Sequence, residues 1–507
     1  MTQINESTSR SGRILVRTFI DVDFILESPL CISGDDKGTD NDVIKDSCGQ
    51  PFIPGTSLAG ALRAYMTLRC SEKDANFLFG SIGDEGRQSP LIVSDGSLAA
   101  PVVSFRDGVA LDSEKQSIRN AKYDLEIVEY GTTGSFGLEL VLRDNHGFTL
   151  KKAMDWLTGL LVALDKNDIQ LGMKKGRGFG LLRVTGLKIR HFDFNKNQAS
   201  SKESLAESYL RFLENNLMLK INGEGIFEQA VNTNKQLGCP KETVDSFDAE
   251  ITTAERLAIE AWITAFKTAK NKFKSIYEDI TFTLKLEGGL SIRQDSARPE
   301  APDFQHIQSR GVSVVPGMSW TGALRHRMKR ILQELGVDSD KSENEMRLIF
   351  GTISSKQLPG FASPTRISES RRNKAGLTPR LENTVLSTRT KINRFTGGAQ
   401  DKVLFTERMS IGGKYDLVIR LRKEFTYPKD ANEEAEKGTE ELLKSCKGLF
   451  YLALKDLYNG FLLIGGQTAI GRGHFSYAGN GANTGFSAAD EVECLNALAK
   501  RVQDLKK

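Results

Sequence analysis

The chain is poor in the residues that most often announce chemistry. Six cysteines occur in 507 residues, Cys31, Cys48, Cys70, Cys239, Cys446 and Cys494, and none forms a C-x-x-C pair. That scatter argues against a zinc site or a disulfide framework and for free thiols in a reducing compartment. The five histidines, His146, His191, His306, His326 and His474, show neither a paired nucleophile nor metal-ligand spacing. His306 lies near Asp303, but a loop histidine is usually a bystander. There is no signal peptide and no long apolar run, so no helical membrane span is expected and the cytoplasm is the default location. The net charge of +4 is too small to indicate nucleic acid by itself. What is present is ordinary: 26% charged and 39% hydrophobic residues suit a globular protein, and the length suggests two or three domains.

The informative feature is a repeat. Phe52-Ile53-Pro54-Gly55-Thr56-Ser57-Leu58-Ala59-Gly60-Ala61-Leu62-Arg63 returns as Val314-Val315-Pro316-Gly317-Met318-Ser319-Trp320-Thr321-Gly322-Ala323-Leu324-Arg325. Two copies in a chain this long point to duplication of a domain rather than a solenoid. Each copy reads as a strand end, a Pro-Gly turn and a helix. Ser57 and Ser319 are candidate helix caps. Gly60 and Gly322 cost helix propensity, so a close backbone approach is expected there. The helix start, with free N–H groups and a positive dipole end, suits a phosphate. Taken alone, the same pattern is better read as a structural strand–turn–helix.

The rest of each half follows one order. Residues 1–12 read as a disordered tail. Then come a strand at 13–27, an acidic loop at 31–50, a helix from about Ser57 to Cys70, and a strand at 90–94. A loop at 95–125 carries Arg106, Lys115, Arg119 and Lys122. Strands at 125–128 and 136–142, a helix at 150–165, a basic glycine loop at 171–180 and a strand at 181–184 complete the half. The second half repeats this with a strand at 279–286, the Pro316-Gly317 helix, Leu348-Ile349-Phe350-Gly351 answering Leu78-Phe79-Gly80, and a basic loop at 365–394. Strands at 402–406 and 414–421, a helix near 436–459 and a glycine loop ending in Gly471-Arg472-Gly473 close it. Pro54 and Pro316 are offset by 262, whereas matching Gly176 with Gly471 gives 295, so about 33 extra residues are expected in 352–400. Residues 194–276 read as a helical linker, with helices at 200–220 and after the capping box Thr252-x-x-Glu255. Residues 481–507 read as a terminal helix. The fold class is α+β, with a split βαβ, ferredoxin-like (RRM-like) pattern in 13–193 and again in 277–480. Fold alone gives no function.

The sequence of strand, Asp-bearing loop, Pro-Gly-x-Ser-x-x-Gly-x-Leu-Arg, Phe-Gly, basic loop, Glu before a strand and closing glycine loop resembles the RAMP superfamily of CRISPR systems. The closest resemblance is to Cas7, the backbone subunit of type III effector complexes. The stretch 389–399 followed by Leu404-Phe405-Thr406-Glu407 resembles that subunit's thumb. Leu111-Asp112, Ile118-Arg119 and Ile127-Val128-Glu129 form a weaker version. The whole is similar to two Cas7 subunits fused in one chain, as in type III-D variants. This implies tandem RAMP domains with thumb-like insertions, and guide CRISPR RNA along the palm with complementary target RNA paired to it. It further implies a Cas10-type large subunit and Cas7-, Cas5- and Cas11-like subunits as partners, no membrane, and target cleavage by a loop aspartate in each half. By this resemblance Asp40, in Thr39-Asp40-Asn41-Asp42-Val43-Ile44-Lys45-Asp46, takes the catalytic position. Asp303, in Pro302-Asp303-Phe304-Gln305-His306-Ile307-Gln308-Ser309, takes it in the second half, where Ser309 stands in place of Asp46.

A carboxylate in such a loop can act as a base or hold a divalent cation, Mg²⁺ being the expected one. Mg²⁺ binds few carboxylates plus phosphate oxygens, so one metal-ligating Asp per site, Asp40 or Asp303, is acceptable. The expected RNA contacts are Ser57, Arg63, Ser319 and Arg325 on the helices, and Lys174, Lys175, Gly176, Arg177, Gly178, Gly471, Arg472 and Gly473 in the glycine loops. Arg389, Lys391 and Arg394 would form a basic clamp. Phe136 and Phe395 are expected in the core. Two alternatives stand beside the target nuclease: a structural guide-RNA-binding subunit without catalysis, and a Cas6-like guide-processing nuclease, which would need a histidine base.

Overall fold

The computed structural model describes residues 12–34, 42–83, 86–111, 117–194, 209–210, 212–213, 219–221, 253–294, 302–352, 360–373, 384–424, 426–428, 435–437, 440–479 and 488–507. The first half opens with β1, Ile14–Leu26, whose alternating burial turns Ile20, Val22, Phe24 and Leu26 inward, as a half-buried strand requires. There follow α1 (Gly55–Arg69), α2 (Glu72–Phe79), β2 (Leu91–Val93), β3 (Val103–Leu111), β4 (Ser117–Val128), β5 (Thr133–Arg143), α3 (Leu150–Asp165) and β6 (Leu182–Asp193). The sheet runs β2-β5-β1-β6, antiparallel throughout, and Leu219–Ile221 adds to its edge beside β6. Leu58 and Leu62 of α1 and Leu157 and Leu161 of α3 share one core with the inward residues of β1. Helix α4 (Thr253–Lys272) adds Trp262 and Phe266 to that core.

The second half repeats the plan. It comprises β7 (Tyr277–Glu287), β8 (Phe304–His306), β9 (Val312–Val315), α5 (Gly317–Glu334), α6 (Ser339–Phe350), β10 (Thr365–Ile367), β11 (Thr384–Ile392), β12 (Ala399–Ile411), β13 (Lys414–Arg422), α7 (Glu440–Tyr458), β14 (His474–Tyr477) and α8 (Ala488–Lys506). Its sheet is β10-β13-β7-β14, antiparallel and in the same order as the first. The molecule is thus mixed α+β, with a principal antiparallel sheet and a core in each half. Cys494, Leu498 and Val502 of α8 lie in the second core.

Several expectations need correction. The loop at 95–125 is largely the β3–β4 hairpin, and the loop at 365–394 contains β10 and β11. β3 and β4 pair with each other and not with the main sheet, and among the described residues Val128 of β4 alone bridges outward, to Leu30. Leu219–Ile221 is a strand rather than the end of a helix. The rest of the expected 200–220 helix is mostly outside the described residues, as are Thr252 and the tail at 1–11. The helices also start earlier than Ser57 and Ser319: Pro54 and Pro316 occupy the cap positions with no side-chain cap. Ser57 and Ser319 therefore sit inside the first turn, and Asp95 Oδ1 takes the Gly55 N–H at 2.6 Å. Gly60 and Gly322 meet nothing within 4 Å of an added Cβ. The close approach falls instead at Gly317, where a Cβ would lie 2.1 Å from the Arg177 carbonyl and 2.3 Å from that of Ile367.

The glycine loops align differently from the sequence match. Lys174 and Gln467 are both left-handed, at φ 54° and 58°, and each precedes a single 3-10 turn closed by Gly178 or Gly471. Met173 N–H donates to Cys31 O at 2.8 Å, as Gly466 does to Ser291 O at 2.7 Å. The offset is therefore 293 residues (464 against 171) rather than 295. Gly178 answers Gly471, Arg177 answers Ile470, and Phe179 answers Arg472.

Candidate nucleic-acid interface

The loop ahead of each Pro-Gly element is anchored by the hairpin that follows it, and the two anchors differ. Asp40 lies outside the described residues. The loop beyond it is held by buried Glu126 on β4, which accepts the Val43 N–H at 2.9 Å and pairs with Lys45 Nζ at 2.8 Å. Asp46 is a turn-former: its Oδ1 accepts from the N–H groups of Cys48 at 2.8 Å and Gln50 at 2.9 Å. In the second half Asp303 is exposed and immediately precedes β8, which runs parallel to β12. Its Oδ2 accepts from Thr406 N–H at 2.7 Å and from Thr406 Oγ1 at 3.2 Å, while its own N–H donates to that hydroxyl at 3.2 Å. Asp303 is thus clasped to the hairpin. His306 does not assist it. The ring is buried, its Nδ1 accepts from Ile292 N–H at 3.1 Å, and burial pushes its pKa down to about 4.

Next to Thr406, the Glu407 side chain points the other way and is 1% exposed. It receives Arg389 and, at 2.6 Å, Arg472 Nη1; Arg389 also donates to Gln467 Oε1 at 2.6 Å. Burial raises the carboxyl, but Ser291, Arg472 and Arg389 outweigh it and hold its pKa below the ordinary value. Two expected RNA contacts, Arg389 and Arg472, therefore join the root of the hairpin to the closing glycine loop. The equivalent first-half positions are apolar: Cys31, Leu125, Ile127 and Phe179 pack together with Met173.

The other candidates separate into two groups. Lys391 and Arg394 are exposed towards the hairpin tip, beside Phe395, which is 100% exposed instead of core. An Asx turn places Phe395 there, its N–H donating to Asn393 Oδ1 at 2.9 Å. Phe136 is buried as expected. Gly471 has open space on its Cα, and Gly473 carries φ 75°. Arg63 and Arg325, at equivalent positions, tie helices together: Arg63 to Asn76 of α2 at 2.7 Å, Arg325 to Glu343 of α6.

The first-half glycine loop lies in the seam between the halves. A Cβ on Gly178 would meet Ser368 Cα at 2.4 Å, and Gly176 faces Ser363. Burial and then Arg366 lower the pKa of Lys175, while burial and then Arg325 lower that of Arg177. Lys174 Nζ sits 4.8 Å from the Tyr123 ring centroid. Other seam ties were not legible from the sequence. Buried Asp168 accepts from Ser275 Oγ at 2.5 Å and Ile276 N–H at 3.0 Å, and Arg420 donates to the adjacent Asn167 carbonyl at 2.6 Å. Arg106, 1% exposed, lies between Glu129 at 3.4 Å and Glu369 at 3.5 Å, and Glu129 also receives Ser309. Ser309 is therefore a seam residue.

No group of three or more His, Cys, Asp or Glu with metal-binding geometry occurs among the described residues. No described helix is long and apolar enough to cross a membrane. Asp303 offers one carboxylate, which suits a hard cation only if RNA and water supply the other oxygens.

Known proteins bear on this arrangement in two ways. The chain is 24% identical over 250 residues to the CRISPR system Cms endoribonuclease Csm3 of Methanocaldococcus jannaschii, a match spanning 42% of this chain and 96% of that protein. One such relative therefore fits within less than half of the chain, as the duplicated sheets would lead one to expect. The sequence profile of the RAMP superfamily matches residues 23–183 and 231–476, one stretch in each half. On that coverage, the chain belongs to the RAMP superfamily.

Proposed function

We propose that the chain is a guide-RNA-binding backbone subunit of a type III CRISPR effector complex and that it cleaves target RNA paired to the guide. In this reading each half is a ferredoxin-like RAMP domain, 13–193 and 277–480, joined by the linker 194–276 and followed by the helix in 481–507. The family and the endoribonuclease relative support the RNA-guided part. The observation that carries the nuclease part is the exposed Asp303 carboxylate, clasped at the root of a basic hairpin whose tip bears Lys391 and Arg394. RNA lying along that hairpin would bring a phosphate to the carboxylate.

Asp303 would orient or deprotonate the attacking oxygen, and geometry matters more than strength in such a role. A divalent cation, Mg²⁺ being the expected one, would neutralise charge on the phosphate, with Asp303 as one ligand. Asp40 is assigned the same task in the first half by the family resemblance of its loop. Lys391, Arg394 and the open turn at Gly471 would meet RNA phosphates, so binding should weaken as salt rises. Guide RNA, complementary target and other Cas subunits are the partners of this reading, and the cytoplasm its place.

Site-resolved cleavage by the assembled complex tests it. Asp303→Ala should remove one set of cuts, Asp40→Ala another, and the double variant all of them, with guide RNA retained. If the double variant cuts as the unaltered complex does, the assignment is wrong. A non-catalytic guide-binding role is then the remaining reading, and the occupied Oδ2 of Asp303 favours it.

A further inference from the structure

The two halves grip their acidic loops by different chemistry, and the difference falls at one position. β12 and β4 can be superposed through their pairing. Leu290 lies opposite Ser410 as Leu30 lies opposite Val128. Four residues back, Thr406 answers Asp124. The cross-strand partners agree, since Thr406 faces Thr388 and Asp124 faces Asp107, the corresponding positions of the two hairpins. A threonine there can donate to a carboxylate. An ionised aspartate side chain cannot, and the described part of the first-half loop is held through Glu126 and the backbone of Val43.

We infer that Thr406 is the positioning residue of the second-half site, a role that rests on the reading of Asp303 given above. Two donors on one residue, the N–H and the Oγ1, meet a single oxygen of Asp303, and the hydroxyl is in turn held by the Asp303 N–H. This fixes the side chain, through Oδ2, as well as the backbone. The strand is itself fixed one residue further on, where Glu407 takes Arg389 and Arg472. The carboxylate is therefore registered, through Thr406 and Glu407, to the closing glycine loop. A guide strand on that loop and a target phosphate at Asp303 would share one rigid frame. The first half has Asp124 and Leu125 at these two positions, and Leu125 packs in an apolar cluster instead of taking arginines. The second-half site is pre-set by its hairpin, and among the described residues of the first-half loop the hairpin grip falls at Val43 and Lys45.

Thr406→Val tests this, because it removes the hydroxyl at nearly constant shape and leaves the backbone N–H. Thr406→Ser restores the hydroxyl. In the assembled complex with guide and complementary RNA, Thr406→Val should slow the cuts that Asp303→Ala abolishes by about tenfold, as removal of an orienting partner typically does. The cuts that survive Asp303→Ala should stay within about twofold, guide content should be unchanged, and Thr406→Ser should recover most of the lost rate. A merely structural role would not separate the two sets of cuts or distinguish serine from valine. Wild-type rates at both sets in Thr406→Val, or a serine variant as slow as valine, overturn the assignment. If Asp303→Ala itself leaves every cut in place, the nuclease reading fails, and it is told apart from a failure of Thr406 on the same gel.

Discussion

The buried charge cluster at Glu407 can be exchanged for the apolar one that the first half places at the same point. Removing Glu407 alone, as Glu407→Leu, strands Arg472, which is 8% exposed, without its anion. Breaking a buried pair in this way costs about 3–5 kcal/mol, because the remaining charge is desolvated and uncompensated. Arg389 adds less, since its side chain is 29% exposed and keeps Gln467. The first half supplies the remedy: Cys31, Leu125 and Phe179 stand where Ser291, Glu407 and Arg472 do. The triple variant Ser291→Cys, Glu407→Leu, Arg472→Phe replaces the charges by side chains already known to fit that backbone. Replacing a buried ion pair with well-packed apolar groups is often neutral or stabilising, so the triple variant should lie within about 1.5 kcal/mol of the unaltered chain. The single change would lower the second-half transition by about 6–20 °C in calorimetry, taking about 2–4 °C per kcal/mol for a unit of this size. A triple variant as unstable as Glu407→Leu, or a harmless Glu407→Leu, would refute the equivalence of the two clusters. The same triple variant also separates the roles of Arg472: retention of guide RNA marks it as an anchor, loss marks it as an RNA contact.

Two further expectations concern the seam and the repeat. Gly317→Ala drives a Cβ to 2.1 Å from a backbone carbonyl that cannot retreat alone, whereas Gly322→Ala meets open space on an exposed helix face. The first should lower the melting temperature through a loss of more than about 2 kcal/mol, and the second should raise it through a gain of about 0.8–1 kcal/mol. Glu369, whose side chain is 3% exposed, has its pKa raised to about 7 by burial, with Arg106 and Arg371 opposing and Glu129 adding to the rise. A carboxyl raised on folding contributes stability below its unfolded value that is lost as pH climbs through the folded one. The chain should therefore lose stability relative to Glu369→Gln as pH rises from about 4.5 to about 7. Parallel melting curves of the two proteins across that range would contradict this.

The candidate site was legible in part from the repeat and in part from the family resemblance. Asp303 was singled out by the family resemblance, from its place ahead of Pro316-Gly317, and the basic stretch from its density of arginine and lysine, although it was read as a loop and not as a hairpin. Glu126, Glu129, Asp168 and Glu369 were missed, because an isolated acid in a row of sequence carries no sign of the arginine or backbone N–H it will meet. Arg389 and Arg472 were recognised as basic but not as paired. Their partner, Glu407, comes from another strand, and only its burial between them changes what they do. Phe395 went the other way, since an apolar ring reads as core until the turn at Asn393 is seen to hold it in solvent.

By itself the sequence determined the duplication, the α+β class and much of the order of strands and helices in each half, though not α2, α6 or the β3–β4 hairpin. Those follow from local periodicity and from Pro-Gly turns, which act over a few residues. The tertiary structure decided the offset of the glycine loops, through left-handed residues that are not all glycine. It also decided which glycines meet backbone, and that the first-half glycine loop is spent on the seam while its counterpart at Gly471 is not. The reason is physical: close approach, burial and charge pairing are properties of surfaces brought together from distant parts of the chain, and no local pattern encodes which surfaces those are.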